Sequence, residues 1–326
     1  MRRRLKDTEE AHEVVTIVRR IAVMVSAGLP ASRVWEHVPG AGDLSPRALS
    51  IIRDCDDAAR VGNDIAEAMR ASVKHHFMMR YGGVVAVRGA PSGAAYASWL
   101  GLAATLTVAQ ECGAPLATCL TRLARSYDDN SSHRRAVRAA LAAPRSTAGL
   151  MAVLPVASLG MSTLLGFNSV GILIGTGFGI ACGVLGVILS LVAVLWSAGL
   201  VRRAEPRCHT PGLVLDLIAL AVSGGGSLER SQMLVADTIE RCDVEEHDEL
   251  SRAQRSLDLA TTAGIPASDL VHADADLVRA EKRSEGSRLA AQLAVRLMLP
   301  LGVCTLPAFV LLGVVPLILS IVSVVV

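Results

Sequence analysis

Residues 147–200 read TAGLMAVLPVASLGMSTLLGFNSVGILIGTGFGIACGVLGVILSLVAVLWSAGL, 54 positions without a single formal charge. A second stretch, 297–326, is equally uncharged, and all 32 Lys/Arg and all 30 Asp/Glu fall in 1–146 or 201–296. An α-helix rises about 1.5 Å per residue, so roughly 20 apolar residues cross a bilayer as helix, and the first stretch is long enough to cross twice. Asn168-Ser169 interrupts it, which predicts a tight helical hairpin of 148–167 and 171–200. The closing stretch supplies a third span. With 52% apolar residues and a mean hydropathy of +0.45, a soluble globular chain is excluded.

Orientation follows from the flanking cations, which hold a chain end in the cytoplasm. Arg134, Arg135, Arg138 and Arg145 precede the first span, Arg202, Arg203 and Arg207 follow the second, and Lys282, Arg283, Arg288 and Arg296 precede the third. The hairpin turn and the C-terminus carry none. Both charged portions are therefore expected in the cytoplasm, with the C-terminus outside and the N-terminus inside the cell membrane. Residues 89–110 are also uncharged, but they open on G-A-P-S-G and leave about sixteen helix-compatible residues, too few to span. They read as a buried core helix.

The charged portions show helical periodicity. Val14, Val18, Ile21 and Val25 form one face opposite Arg19 and Arg20, and Leu116, Leu120, Leu123 and Tyr127 form another opposite Arg122 and Arg125. No strand alternation stands out. Between helices a short punctuation recurs: G-L-P-A at Gly28, G-N-D-I at Gly62, G-A-P-L at Gly113, G-G-S-L at Gly225 and G-I-P-A at Gly264. Glycine accepts the left-handed conformation that ends one helix, and Pro, Asp or Ser two residues later suits the start of the next. Stacked helical hairpins follow, three corners before the membrane hairpin and two after it. The expected fold is an all-α membrane protein: a cytoplasmic helical bundle over 1–146, a transmembrane hairpin over 147–200, a second, abbreviated bundle over 201–288, and a transmembrane helix in 289–326. The layout is that of an internal duplication.

Three stretches carry a resemblance: VRRIAVMVSAGLPASRV (18–34), AQECGAPLATCLTRLA (109–124) and LDLIALAVSGGGSLERS (215–231), together with the closing RLMLPLGVCTLPAFVLLGVVP from Arg296. In the order of five corners and three spans the chain resembles the type II secretion system F family. The likeness is greatest to platform proteins of the tight-adherence (Tad) type IV pilus in their actinobacterial form. Pro300, Pro307 and Pro316 stand as in that family's closing span. One departure is Gln110, where the family carries an acid ahead of its later corner. The resemblance implies a pilus-assembly or secretion platform whose cytoplasmic bundles engage a secretion ATPase, whose spans pass pilin or pseudopilin subunits, and which works as a homo- or hetero-oligomer beside a second platform subunit.

The residues themselves point to no catalysis and no cofactor. There is no G-x-x-x-x-G-K-[ST], and Gly224-Gly225-Gly226-Ser227 lacks the phosphate-reaching lysine. Gly175 to Gly179 imitates a dinucleotide loop inside an apolar run, without a preceding strand. Seven cysteines form no C-x-x-C and eight histidines no H-E-x-x-H. Aromatic content of 3% argues against a nucleic-acid surface. Gly171, Gly175, Gly179 and Gly183 recur every four residues and are expected to pack helices closely, within the hairpin or between subunits. The three prolines of the last span are expected to kink it. A small-solute permease is the competing class, but such a path needs ionisable groups near the midplane, and these spans offer only small hydroxyls.

Overall fold

Helix α5 (Ala94–Cys112) has no solvent face along its middle: every residue from Trp99 to Ala109 is buried. A helix apolar all round must be covered on all sides, and four others do so: α1 (Arg2–Ser26), α4 (Ile65–Tyr81), α8 (Leu213–Ser223) and α9 (Leu228–Arg241). The remaining elements are α2 (Val34–His37), α3 (Pro46–Val61), α6 (Leu116–Ala140), α7 (Gly177–Ala204), α10 (Glu249–Ala263), α11 (Ala267–Arg296) and α12 (Leu306–Phe309), with a short 3-10 turn after α2. The computed structural model describes residues 2–41, 44–81, 93–140, 177–204, 210–244, 248–296 and 301–315, and single positions 157, 160, 161, 164, 171, 299 and 318. All of its regular elements are helical.

Two compact units divide the chain: 1–133 with 207–283, and 134–206 with 284–326. Both charged segments thus contribute to the first unit. From Leu213 to Ala221 helix α8 is buried on every side except at Asp216, and like α5 it cannot close a bundle of its own. The two helices cover each other, and one core runs through both segments.

Within this first unit the predicted faces pack inward: Val14, Val18 and Ile21 of α1, and Leu120, Leu123 and Tyr127 of α6, are buried. The uncharged 89–110 stretch contributes α5, a core helix of 19 residues, longer than the sixteen expected. Asp7 of α1 explains where α5 begins. Its carboxylate accepts from the Ala94 and Ala95 N–H groups at 2.9 and 3.4 Å, donors that an α-helix leaves unpaired at its start.

Gly28, Gly62, Gly113, Gly225 and Gly264 all lie at positive φ, from +63° to +91°. Gly62 shows the geometry: Asn63 N–H reaches back to Ala58 O at 2.8 Å while Gly62 N–H bonds Ala59 O at 3.3 Å, closing the last turn of α3. Hairpin register is then set by the corner. The Ser72 hydroxyl of α4 donates to Asp54 of α3, and the Ser256 hydroxyl of α10 donates to Asp274 of α11. Both pairs lie eight residues before and ten after their glycine, Gly62 and Gly264. The same offset joins Gly101 to Tyr127 about Gly113, shifted outward by one turn.

The second unit contains α7, of which Gly179–Ser197 is long and apolar enough to cross a bilayer. Its 19 residues span about 28 Å. Ile180, Val184, Val187, Ile188, Leu191, Val194 and Leu195 face outward and exposed, as lipid requires. Where the sequence predicts three spans, the described residues show this one at full length. Most of 148–167 and the 168–170 turn lie outside them, and the closing span is represented by the shorter apolar Gly302–Val314.

Candidate functional site

Asp216 is the one charged residue on a helix otherwise buried all round, and such a charge must be paired. Its partners lie 56 and 63 positions away, beyond the reach of any local pattern. Helix α11 presents His272 and Arg279 seven residues apart, hence on one face. His272 Nδ1 lies 3.1 Å from Asp216 Oδ1, and the Arg279 guanidinium pairs with Asp216 Oδ2. Arg279 also donates to Ser126 Oγ of α6 at 3.1 Å, to Asp276 at 2.9 Å and to the Gly212 carbonyl at 3.4 Å. One turn on, Arg283 pairs with Asp129 at 3.3 Å. One face of α11 thereby clasps α8 and α6 together.

The start of α8 is held by the same group of helices. Gly212, after Pro211, differs from the five corners in that it precedes its helix instead of following one. Gly212 nonetheless has φ +75°, and a Cβ there would stand 2.9 Å from the Ala275 carbonyl oxygen of α11. With no side chain of its own to cap α8, the N-terminus takes Glu249 from α10, whose carboxylate accepts from Gly212 N–H at 2.8 Å and Val214 N–H at 3.2 Å. Burial raises the Glu249 pKa above the ordinary carboxyl value, against the lowering effect of those two N–H groups and of Arg279. A raised folded-state pKa means that this carboxyl's contribution to stability is full below its unfolded pKa and is lost as pH rises through the folded one. Glu249→Gln should therefore gain in thermal midpoint relative to the wild type as pH goes from acid to neutral. A Glu249→Gln midpoint that falls relative to the wild type over that interval would mean that the two N–H groups outweigh burial.

A half-open groove runs alongside, between α5, the start of α6, α8 and α11. Leu213, Leu217 and Leu220 line it with Thr105, Thr118, Cys119, Arg122, Asp216 and His272. Its Cys119 thiol is held protonated: burial pushes it up to about 11, and it donates to the Pro115 carbonyl. Burial likewise raises Cys55, and Cys242 to about 11. Among the described residues no three His, Cys, Asp or Glu side chains come together to hold a metal ion. What the arrangement offers is a fixed surface with an apolar floor and a charged edge, where the first and second halves of the chain meet.

The five predicted corners are all in this unit. Corner Gly113 and the glycines preceding Gly225 come together: a Cβ on Gly224 would stand 2.7 Å from Cys112 Cβ and closer still to its carbonyl oxygen. Of the four glycines at four-residue spacing, Gly179 and Gly183 lie in α7. Gly179 is buried, Gly183 half-buried and Gly171 exposed, while Gly175 lies outside the described residues. The buried line continues instead through Cys182, Gly186 and Ala193. At Gly186 a Cβ would lie 2.5 Å from Leu312 Cγ, so α7 and the Val310–Val314 turn are in intimate contact. Pro307 sits in α12, between two π-helical turns, Leu301–Thr305 and Val310–Val314. Proline has no N–H and its ring crowds the carbonyl four residues back, so widened turns beside it are the expected relief. Pro300 and Pro316 lie outside the described residues.

The family model for type II secretion system (T2SS), protein F, matches residues 17–164, from the middle of α1 through α6 and beyond. No curated protein and no solved structure matches the chain.

Proposed function

We propose that this chain is the platform of a Tad-type pilus machine, a reading supported by the match of residues 17–164 to the type II secretion system protein F model, whose family members are non-enzymatic membrane platforms of secretion and pilus-assembly systems. F-family platforms are inner-membrane proteins that partner with a secretion ATPase and pilins. In this reading the first unit is the cytoplasmic docking body, and residues 201–288 are a shortened second copy of the F repeat. The observation that carries the duplication is the shared hairpin register, a Ser–Asp bond at the same offsets about Gly62 and Gly264. The groove beside Asp216, lined from both copies, is the surface offered to the ATPase.

A mild-detergent purification of the tagged chain from its native host tests this. Co-purification of a secretion ATPase and pilin-like chains is the expected result. Their absence, under conditions that hold a known membrane complex together, would return weight to a solute permease. The bend-permitting Pro307, beside widened turns, is the element proposed to move as subunits pass. Pro307→Ala should cut pilus output while leaving the protein inserted at normal abundance, and unchanged output would remove that role.

A further inference from the structure

The two units differ in charge as sharply as in hydropathy. The unit of 134–206 and 284–326 carries eight arginines against two glutamates, and the other carries 24 basic against 28 acidic residues. Every cation of the membrane unit stands at an end of its apolar segments. Arg134, Arg135 and Arg138 are in the closing turns of α6, Arg202 and Arg203 in the last turn of α7, and Arg288 and Arg296 near the end of α11.

Arg202 directly follows the uncharged apolar run that continues through Val201, and Arg296 directly precedes the uncharged run that opens at Leu297. Both positions therefore stand where an apolar segment ends, within reach of the headgroups. The end of α11 adds a second observation. Arg288, Val295 and Leu299 recur at helical spacing with Leu289 and Arg296 beside them, and all five are exposed. Leu289 is 45% exposed, Val295 66% and Leu299 60%. A face that mixes exposed arginines with exposed Leu and Val suits neither water nor hydrocarbon, but it suits the boundary between them.

We infer that the membrane unit binds anionic phospholipid at its cytoplasmic rim, with Arg288 and Arg296 of α11 engaging headgroup phosphate while Leu289, Val295 and Leu299 enter the acyl boundary. Guanidinium fits the chemistry, since its planar fork meets phosphate oxygens two at a time. The net negative charge of the other unit argues for lipid over an acidic protein at this rim, because only the residues at membrane level carry the attraction. The inference rests on the membrane reading and not on the ATPase or the pilins, so its failure and theirs are separately visible.

The full chain should be purified in mild detergent, and its retained phospholipids counted by native mass spectrometry after exposure to phosphatidylcholine or phosphatidylglycerol. The wild type is expected to keep phosphatidylglycerol in preference. Arg288→Gln with Arg296→Gln should weaken that retention about tenfold or more, and the double Lys variant should keep most of it. Equal retention of the two lipids by the wild type would overturn the inference without any variant. So would undiminished retention in the Gln variant, or displacement of phosphatidylglycerol by soluble glycerol phosphate, which would mark a free-anion site.

Discussion

Gly224→Ala should destabilise the helical unit by about 3 kcal/mol, an overpacking cost at the high end for a single added carbon. The new Cβ would meet the Cys112 carbonyl oxygen and the Cys112 Cβ at 2.7 Å, and backbone cannot step aside as the tip of a long side chain can. Conformation does not contribute, because Gly224 has φ −73°, open to any residue. The neighbouring corner gives the control. Gly225 has φ +85° with nothing within 4 Å of a Cβ, so Gly225→Ala meets only the left-handed penalty of about 1–2 kcal/mol. Thermal midpoints of both variants in the same detergent should fall in that order. A reversed order would mean that the approach of α8 to the end of α5 is looser than the geometry says.

Arg279→Met should cost about 3–5 kcal/mol, the range for breaking a buried ion pair from one side. The Arg279 and Asp216 side chains are only 10% and 14% exposed, so solvent screens them little. Removing the guanidinium strands Asp216 with His272 and frees Ser126 and the Gly212 carbonyl at once. Asp216→Asn in the same chain should recover part of the loss, because the charge left without its partner is gone. A double-mutant cycle in urea measures this, and additive effects would show that the two residues act independently.

Those two sites show what periodicity and spacing can reach. The existence of α5 as a core helix was legible, since an uncharged run opening on Gly-Ala-Pro-Ser-Gly is too short to span and too apolar to be exposed. The corners were legible because a glycine followed two residues later by Pro, Asp or Ser is a local signal, and local hydrogen bonds such as Asn63 N–H to Ala58 O complete it. That both halves share one core was not legible. It follows from α5 and α8 each lacking a polar face, and periodicity reports such a helix as buried without naming what buries it. The Asp216 clasp was hidden for a related reason: its members are single charges far apart in the chain, and only the pairing of α8 with α11 unites them. Of the four-residue glycine stripe only Gly179 and Gly183 lie in α7, where the buried positions include Gly179, Cys182 and Gly186.

The open corners have a consequence for how this chain can lengthen. At Gly28, Gly62, Gly113 and Gly264 a Cβ would meet nothing within 4 Å. Extra residues inserted there would project away from the core, and the entropy of closing a longer loop grows only slowly with its length. Reporter peptides spliced in at Gly62 or Gly264 would thus leave hairpin register intact, and the same seams are where natural insertions can accumulate without a refolding of the body. Gly212 and Gly224, pressed against backbone, admit no such growth, and Gly225, open in itself, sits directly beside the closed Gly224.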